Sequence, residues 1–195
     1  MIQKKLLRNL YSSGLSISEI SKRLKCSEHK VVYWMGKHNL KRRSRSEALY
    51  LKNNPDGDPF KIKNVEVDND SFLLGLGLGL YWGEGNKVNK HSIRVGTSDA
   101  DMIITFRKFM KEICGVKDSK FRYSLICFKD RSGVESKKYW SKKLSLPEKI
   151  FGKVTIIPSM GKGTYRKISN YGVCTIYVNN IKLKGWMMDQ IESLK

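Results

Sequence analysis

FLLGLGLGLYWGEGNK, residues 72–87, is the stretch that decides the fold of this chain. It is apolar enough for a helix, yet glycine recurs in it at Gly75, Gly79 and Gly83. Each glycine costs about 1 kcal/mol of helix propensity relative to alanine, and a spacing of four residues places all three on one face. The pattern predicts a helix from Phe72 whose glycine face lies against another backbone, either that of a second helix or that of the chain's own sheet.

The same stretch ends on a lone carboxylate, Glu84. The C-terminal end of a helix disfavours negative charge because the helix dipole is negative there. An acid in this place indicates a use, with an ordinary helix-end charge as the alternative, and Glu84 becomes the first candidate for a functional residue.

Charge is the strongest feature of the composition. The 195 residues carry 38 Lys and Arg against 18 Asp and Glu, a net charge of +20. An excess of this size indicates a polyanionic partner, most simply nucleic acid. A membrane surface is the rival polyanion, but the longest apolar run, residues 72–82, is well short of the roughly 20 residues that span a bilayer. We therefore expect no membrane partner.

The spacing of the cysteines indicates the cellular compartment in which the protein is expected. They are scattered, with no paired spacing that would indicate a zinc site or a disulfide framework, and they are Cys26, Cys114, Cys127 and Cys174. We interpret them as reduced thiols of a cytoplasmic protein.

Residues 1–52 are predicted to form a small domain of three helices. Ser16 and Glu19 have the spacing of a capping box for the second helix, and Ser27 is positioned to cap the third. The second and third helices resemble a helix-turn-helix, whose recognition helix would enter the major groove of DNA; a plain three-helix cap is the alternative. The expected DNA contacts are His29, Lys30 and Tyr33 in the third helix and Arg42, Arg43 and Arg45 in the basic arm that follows.

Residues 53–70 are predicted to be a linker because they hold two prolines, a glycine and several Asx residues. Residues 71–195 then mix helices with strands that look antiparallel, which indicates an α+β fold. Strands are expected within 91–98, 120–130, 153–159 and 171–180. Helices are expected at 99–114, with Ser98 and Asp101 as a capping box, at 135–144 and at the end of the chain.

GLYWGEG, residues 79–85, resembles the C-terminal part of the LAGLIDADG motif of homing endonucleases. Gly79 and Leu80 match its central Gly-Leu pair, Gly83 its small residue, Glu84 its final acid and Gly85 its closing glycine. The order of elements over residues 71–195 is similar to the αββαββα saddle of that family. Two departures are that Trp82 stands at the penultimate acid position and that the final acid is glutamate where aspartate is usual.

The resemblance implies a function and an assembly. In this family two motif helices pack side by side above a saddle-shaped sheet that straddles the DNA, and their terminal acids hold divalent metal. A metal-activated water then attacks the phosphate. Because this chain has one copy of the motif, the resemblance implies a homodimer that meets through Gly75, Gly79 and Gly83 and cuts a palindromic or nearly palindromic site. Glu84, with Gly83 beside it, would hold Mg²⁺ or Mn²⁺.

The resemblance also implies residues that order the attacking water. A polar residue at the end of the strand after the motif helix, Ser98 or Thr97, would fill one role. A lysine near the last helix would fill the other, and we take Lys182 as the candidate, with Lys184 and Lys162 as alternatives.

The candidates for the DNA face of the second domain are basic residues in its strands and loops. Arg94 and Arg122 alternate with core-type neighbours in their strands, and an arginine can contact guanine O6 and N7. The remaining candidates are Lys129, Arg131, Lys162, Arg166 and Lys167. Two functions remain open at this point: a site-specific DNA endonuclease, and a transcription regulator that binds DNA with the same fold without cutting it.

Overall fold

A computed structural model of the chain describes residues 1–65, 69–129, 131–158 and 169–193. The chain divides into two compact units, Met1–Pro59 and Phe60–Lys195. The division falls inside the stretch predicted as a linker.

The first unit is helical in its described residues. Its helices are α1 (Lys4–Ser12), α2 (Ile17–Arg23), α3 (Glu28–Lys37) and α4 (Arg45–Asn53). The predicted capping box of α2 is formed by Ser16 and Glu19, and Ser27 caps α3 through the backbone N–H of Lys30. Both predictions are confirmed. The core of the unit consists of Ile2, Leu7, Ile20, Val31 and Met35.

Helix α4 differs from the prediction, which gives residues 1–52 three helices followed by a basic arm. A capping box formed by Ser44 and Glu47 starts it, which is the signal that sequence analysis missed. None of its residues is buried. The basic arm is therefore an extended segment followed by a capped helix.

The second unit is α+β, as predicted. Its helices and strands are α5 (Asn69–Glu84), β1 (Ser92–Thr97), α6 (Ala100–Glu112), β2 (Arg122–Phe128), α7 (Gly133–Leu144), β3 (Thr155–Ile157), β4 (Val173–Asn179) and α8 (Ile181–Glu192). Short 3-10 turns occupy Asp118–Lys120 and Glu148–Phe151. These elements follow the order expected from the sequence.

The four strands form one mixed sheet in the order β1-β4-β2-β3. Strand β4 is antiparallel to both β1 and β2, but β3 runs parallel to β2. The expectation of antiparallel strands alone is therefore wrong for β3. The physical reason is the connection: helix α7 lies between β2 and β3, and a crossover of that length returns the chain in the same direction.

One face of the sheet is buried and the other is open in the described structure. Residues that alternate along β2 and β4, such as Leu125 and Ile176, are buried in a core that also holds Phe106 and Phe109 of α6. Their neighbours in sequence are half-buried or exposed. This alternation is what a sheet covered on one side requires.

Two boundaries differ from the sequence predictions. Helix α5 begins at Asn69, three residues before the predicted start. Helix α6 is capped by Asp99, whose carboxylate accepts hydrogen bonds from the backbone N–H groups of Asp101 and Met102. The predicted capping box of Ser98 and Asp101 is therefore wrong, because Asp99 satisfies those donors itself.

Part of the predicted linker belongs to the second unit. Phe60, Ile62 and Val65 pack against its core. The backbone N–H groups of Lys61 and Lys63 donate to the carbonyl oxygens of Cys114 and Ile113 at 3.1 and 2.8 Å. Residues 60–65 are thus anchored on the end of α6 by their apolar side chains and by these two backbone hydrogen bonds.

Candidate functional site

Helix α5 has two faces that differ in what a side chain would meet. A Cβ atom added at Gly75, Gly79 or Gly83 would meet no atom of the described residues within 4 Å, so this face is open there. A Cβ atom at Gly77 would overlap the ring of Phe109. The alternative in which the three periodic glycines lie against the chain's own sheet is therefore wrong, and Gly77 is the glycine that allows α5 to approach α6.

The open face of α5 is apolar as well as small. Phe72, at 72% exposure, Leu76 and Trp82 lie on it with the periodic glycines. We call the line of Phe72, Gly75, Leu76, Gly79 and Gly83 the glycine face. A helix face of this kind leaves apolar area in contact with water, which is characteristic of a surface that associates with another one.

The end of α5 is tied to strand β1. Gly85 forms an antiparallel bridge with Val95, and the backbone N–H of Asn86 donates to the carbonyl oxygen of Arg94 at 3.0 Å. Glu84 stands one residue before this bridge and is exposed. Within the described part of the chain its carboxylate has no hydrogen bond or ion pair. The acid therefore lies free beside the edge of the sheet.

A buried lysine holds the same end of α5 from the other side. Lys184, only 3% exposed, donates to the hydroxyl of Tyr81 and, at 2.7 Å, to the carbonyl oxygen of Asn86. Tyr81 also donates to that carbonyl oxygen at 2.6 Å. Burial, and secondarily the charge of Lys87, lowers the pKa of Lys184, while burial raises the pKa of Tyr81 to about 12. Helix α8 thereby fixes the turn that follows Glu84.

The open face of the sheet carries a row of three long side chains. Arg94 of β1 and Arg122 of β2 both pair with Tyr177 of β4, so the tyrosine stands between the two arginines. Arg94 lies with its guanidinium carbon 5.0 Å from the centre of the Tyr177 ring. Both predicted arginines therefore lie on the exposed face, as their alternation indicated.

Other predicted DNA contacts of this unit lie in loops. Lys129 and Arg131 follow β2, where the backbone N–H of Lys129 donates to the carbonyl oxygen of Ile157 at 2.9 Å. Lys129 is exposed and Arg131 is half-buried. Three further candidates, Lys162, Arg166 and Lys167, lie outside the described residues.

The candidates for ordering water are dispersed. Ser98 is exposed between β1 and α6, and Thr97, at the end of β1, accepts a hydrogen bond from the backbone N–H of Asp99 at 3.1 Å. Lys182 is exposed in the first turn of α8. Of the two lysines in α8, it is Lys184 that lies beside the end of α5.

In the first unit, the predicted contacts of α3 share one exposed face. His29, Lys30 and Tyr33 are exposed, and Lys37 lies 5.7 Å from the centre of the Tyr33 ring. Arg42 and Arg45 are exposed as well.

Arg43 differs from its neighbours, because it is engaged within the fold. Its guanidinium carbon lies 3.9 Å from the centre of the Tyr11 ring, and NH1 donates to the carbonyl oxygens of Gly14 and Leu15 at 3.1 and 3.3 Å. Its backbone N–H also donates to the hydroxyl of Tyr11 at 2.7 Å. This arginine holds the extended segment before α4 against the turn between α1 and α2.

The donors for a divalent metal at the end of α5 are few within one chain. Among the residues that the structure describes, no three His, Cys, Asp or Glu side chains come together. Glu84 and the carbonyl oxygens of the last turn of α5, including that of Gly83, are the oxygen donors there. Lys87 lies with its Nζ 3.5 Å from the Gly83 carbonyl oxygen.

The site residues predicted from the sequence do not include Tyr81, Asn86 and Tyr177, and they place Lys182 before Lys184. Tyr177 alternates with buried residues along its strand, so its position on the open face of the sheet was predictable, but its two arginine neighbours depend on strand pairing. The contacts of Lys184 join residues on α5 and α8, distant in sequence. No local pattern indicates such a contact.

Comparison of the chain with protein-family models, curated proteins and solved structures gave no match. None of the helices in the described residues has the length and apolar character needed to cross a membrane. The functional argument therefore depends on the geometry above: an open glycine face, an unpartnered carboxylate at its end and a basic row on the adjoining sheet.

Proposed function

We propose that this protein is a metal-dependent endonuclease of the LAGLIDADG type, which cuts double-stranded DNA at a palindromic or nearly palindromic site as a homodimer. The observation that carries the proposal is the glycine face of α5, which is open along its length and leads to the unpartnered carboxylate of Glu84. A second copy of the same helix is the occupant that this face fits, because glycine on both partners lets two backbones approach closely.

A symmetric dimer would supply the second carboxylate that a single chain lacks. A two-fold axis along the glycine faces would bring two Glu84 carboxylates together, and a two-fold dimer matches a palindromic DNA site. Two carboxylates, with phosphate oxygens and water, suit the coordination that Mg²⁺ prefers. The donor set at the end of α5 consists of hard oxygen atoms and is chemically compatible with Mg²⁺ or Mn²⁺. Such an ion would supply Lewis acidity and a bound water of lowered pKa.

The order of elements supports the family assignment with two differences. One is that helix α7 and strand β3, which runs parallel to β2, lie between β2 and β4 along the chain. The other concerns the strands after the motif helix. The family plan, αββαββα, places two strands after the motif helix, whereas here the bridge of Gly85 to Val95 precedes a single longer strand, β1. We interpret the bridge as a reduced form of the first hairpin. On this interpretation the open face of the sheet corresponds to the saddle that contacts DNA.

Basic side chains on both units support DNA as the substrate. Arg94 and Arg122 lie on the open face of the sheet, and the exposed face of α3 carries His29, Lys30 and Tyr33. We propose that α1 to α3 act as a helix-turn-helix that lengthens the recognised site. The net charge of +20 favours attraction to a polyanion over any neutral ligand.

A specific observation favours the second candidate, a DNA-binding regulator that does not cut. Lys184 is buried and holds Tyr81 and Asn86, so the lysine of α8 that lies beside the end of α5 stabilises the fold instead of facing solvent. A nuclease would then need another residue, such as Lys182, to order water. The two candidates share DNA binding and differ only in cleavage.

The decisive experiment is incubation of the protein with a randomised duplex library and Mg²⁺ or Mn²⁺, followed by sequencing of cut ends. Glu84→Gln removes the charge and keeps the size, so it should retain duplex affinity while cutting falls by at least about 100-fold. Glu112→Gln is the matched control, because Glu112 is also the exposed last residue of a helix. It should cut like the wild type.

Three outcomes separate the candidates. Cutting that Glu84→Gln abolishes and Glu112→Gln retains supports the nuclease. Specific binding without cutting in either metal supports the regulator. Duplex affinity that does not fall between 50 and 200 mM salt, or a preference for anionic vesicles, overturns both, because contacts to six or more phosphates would cost about 10³-fold in affinity over that range.

A further inference from the structure

The two arginines on the open face of the sheet are not equivalent. Arg94 and Arg122 flank Tyr177 at the same level across three strands. Neighbouring strands lie about 4.8 Å apart, so the three side chains form one continuous row. The hydrogen bonds of each guanidinium, however, leave different atoms available to a ligand.

Arg94 is fixed at its inner edge. Its Nε donates to the hydroxyl of Ser92 at 2.9 Å, and its guanidinium lies against the Tyr177 ring. Ser92 is itself buried, so the acceptor is held in place. In the described structure the two terminal nitrogens of Arg94 have no hydrogen-bond partner. Both therefore remain available together, as a bidentate contact requires.

Arg122 is fixed at one of its terminal nitrogens. Its NH1 donates to the carbonyl oxygens of Ser119 and Phe121 at 2.6 and 2.8 Å. The terminal pair is therefore incomplete. Arg122 keeps its charge and its Nε and NH2 donors, which suit a phosphate contact, but its two terminal nitrogens cannot both contact a base without breaking these two hydrogen bonds.

We infer that Arg94 is the residue of the sheet that recognises a guanine, through its terminal nitrogens and the guanine O6 and N7, and that Ser92 and Tyr177 are the residues that position it. Arg122 contributes affinity through phosphate and little sequence discrimination. This inference rests on the proposed DNA binding of the sheet. It assigns roles within the row that charge alone does not distinguish.

The test is selection of bound sequences from a randomised duplex library with the cleavage-silent Glu84→Gln protein, followed by binding measurements on the selected site. Arg94→Lys should lose discrimination at one G·C pair in each half-site by about 5- to 150-fold, the range for a bidentate arginine contact. Arg122→Lys should leave the preference at every position unchanged. Arg122→Ala should weaken all duplexes alike and reduce the salt slope by about one.

The positioning residues give a finer test. Ser92→Ala should lower discrimination at the same G·C pair by at least about threefold without changing the salt slope, and Ser92→Thr, which keeps the hydroxyl, should restore it. Tyr177→Phe should behave like the parent protein because the ring face remains, whereas Tyr177→Ala should resemble Ser92→Ala. Thermal unfolding of each variant shows whether the fold is intact.

Discrimination that survives Arg94→Lys, or that moves with Arg122→Lys instead, overturns the inference while leaving DNA binding by the protein intact. A parent protein that binds no duplex overturns the proposed function, and this assignment with it. A loss of discrimination with Ser92→Ala that Ser92→Thr fails to restore shows that Ser92 does not act through its hydroxyl.

Discussion

The two faces of helix α5 use the same residue type for opposite purposes. On one face Gly77 lets Phe109, a fully buried ring of α6, lie directly on the helix backbone. On the other face Gly75, Gly79 and Gly83 meet nothing. Packing within the chain explains why glycine is needed at position 77. No packing in the described structure explains the three glycines of the open face.

The glycines of the open face need an explanation outside the single chain. Three open glycines reduce helix propensity by about 3 kcal/mol relative to alanine, and no contact with the described residues offsets this reduction. At Gly77 the same reduction is offset by aromatic packing, in which Phe106 lies 5.8 Å from Phe109 and 6.0 Å from Tyr81, measured between ring centres. We therefore expect the open face to be stabilised by association with a second copy.

The largest expected effect is on the packed face. Gly77→Ala should lower the free energy of unfolding of the second unit by about 3 kcal/mol, because its Cβ atom overlaps the Phe109 ring and overpacking of a core costs about 1–3 kcal/mol or more. Urea unfolding monitored by aromatic fluorescence measures this loss. A Gly77→Ala protein as stable as the wild type would show that Phe109 moves aside freely and that the two faces do not differ.

The next effect is on the open face. Gly79→Leu should leave the fold intact, because a Cβ atom there has no neighbour within 4 Å, but it should weaken self-association by about 30-fold or more, the effect of losing a central interface contact. Light scattering over a concentration series measures the fractions of monomer and dimer.

Gly185→Leu is the matched control for that substitution. Gly185 is also helical, exposed and without a neighbour within 4 Å, but it lies in α8. The Gly185→Leu protein should dimerise with the same affinity as the wild type. A Gly79→Leu protein that remains dimeric would show that the glycine face is not the dimer interface. A wild-type protein that is monomeric at every concentration would show that the chain does not dimerise.

A smaller effect concerns the end of the packed face, where Lys184 holds Tyr81 and Asn86. The pKa of Lys184 is lower in the folded chain than in the unfolded chain, so the unfolded chain binds more protons between the folded pKa and about 10.4. The free energy of unfolding therefore gains a contribution from Lys184 as pH rises through that window.

Lys184→Met removes this contribution. The stability of the wild type relative to Lys184→Met should rise between pH 7 and pH 10, as measured by urea unfolding at several pH values. Lys182→Met, at an exposed position two residues away, should give no such rise. A difference between wild type and Lys184→Met that stays constant with pH would show that the lysine is not desolvated.

The smallest expected effect is on stability at the open face of α5, and it can be compared directly with the effect at Gly77. Gly75→Ala, measured at a concentration low enough for monomers, should raise the free energy of unfolding by up to about 1 kcal/mol, since alanine gains helix propensity and meets no neighbour. The sign is opposite to that of Gly77→Ala. A loss of stability in Gly75→Ala monomers would mean that this face is already packed.

Local patterns predicted the order of the elements and some of their ends. The capping box at Ser16 and Glu19 and the alternation around Arg94 and Arg122 are local, and both were correct. The glycine period predicted a face that needs a neighbouring backbone, but the role of Gly77 depends on Phe109, which lies on another helix. The parallel direction of β3 and the position of Tyr177 between two arginines depend on strand pairing, which no window of sequence contains.

Strand order also has a consequence for how the second unit folds. Strand β4, the last of the four described strands along the chain, lies between β1 and β2 in the sheet. Neither of those earlier strands can complete its hydrogen bonding until β4 arrives, and pairings between distant segments form slowly. During synthesis the glycine helix and two unpaired strand edges would therefore stay exposed together until β4 has been synthesised. This interval is when the nascent protein is most prone to associate with the wrong partner.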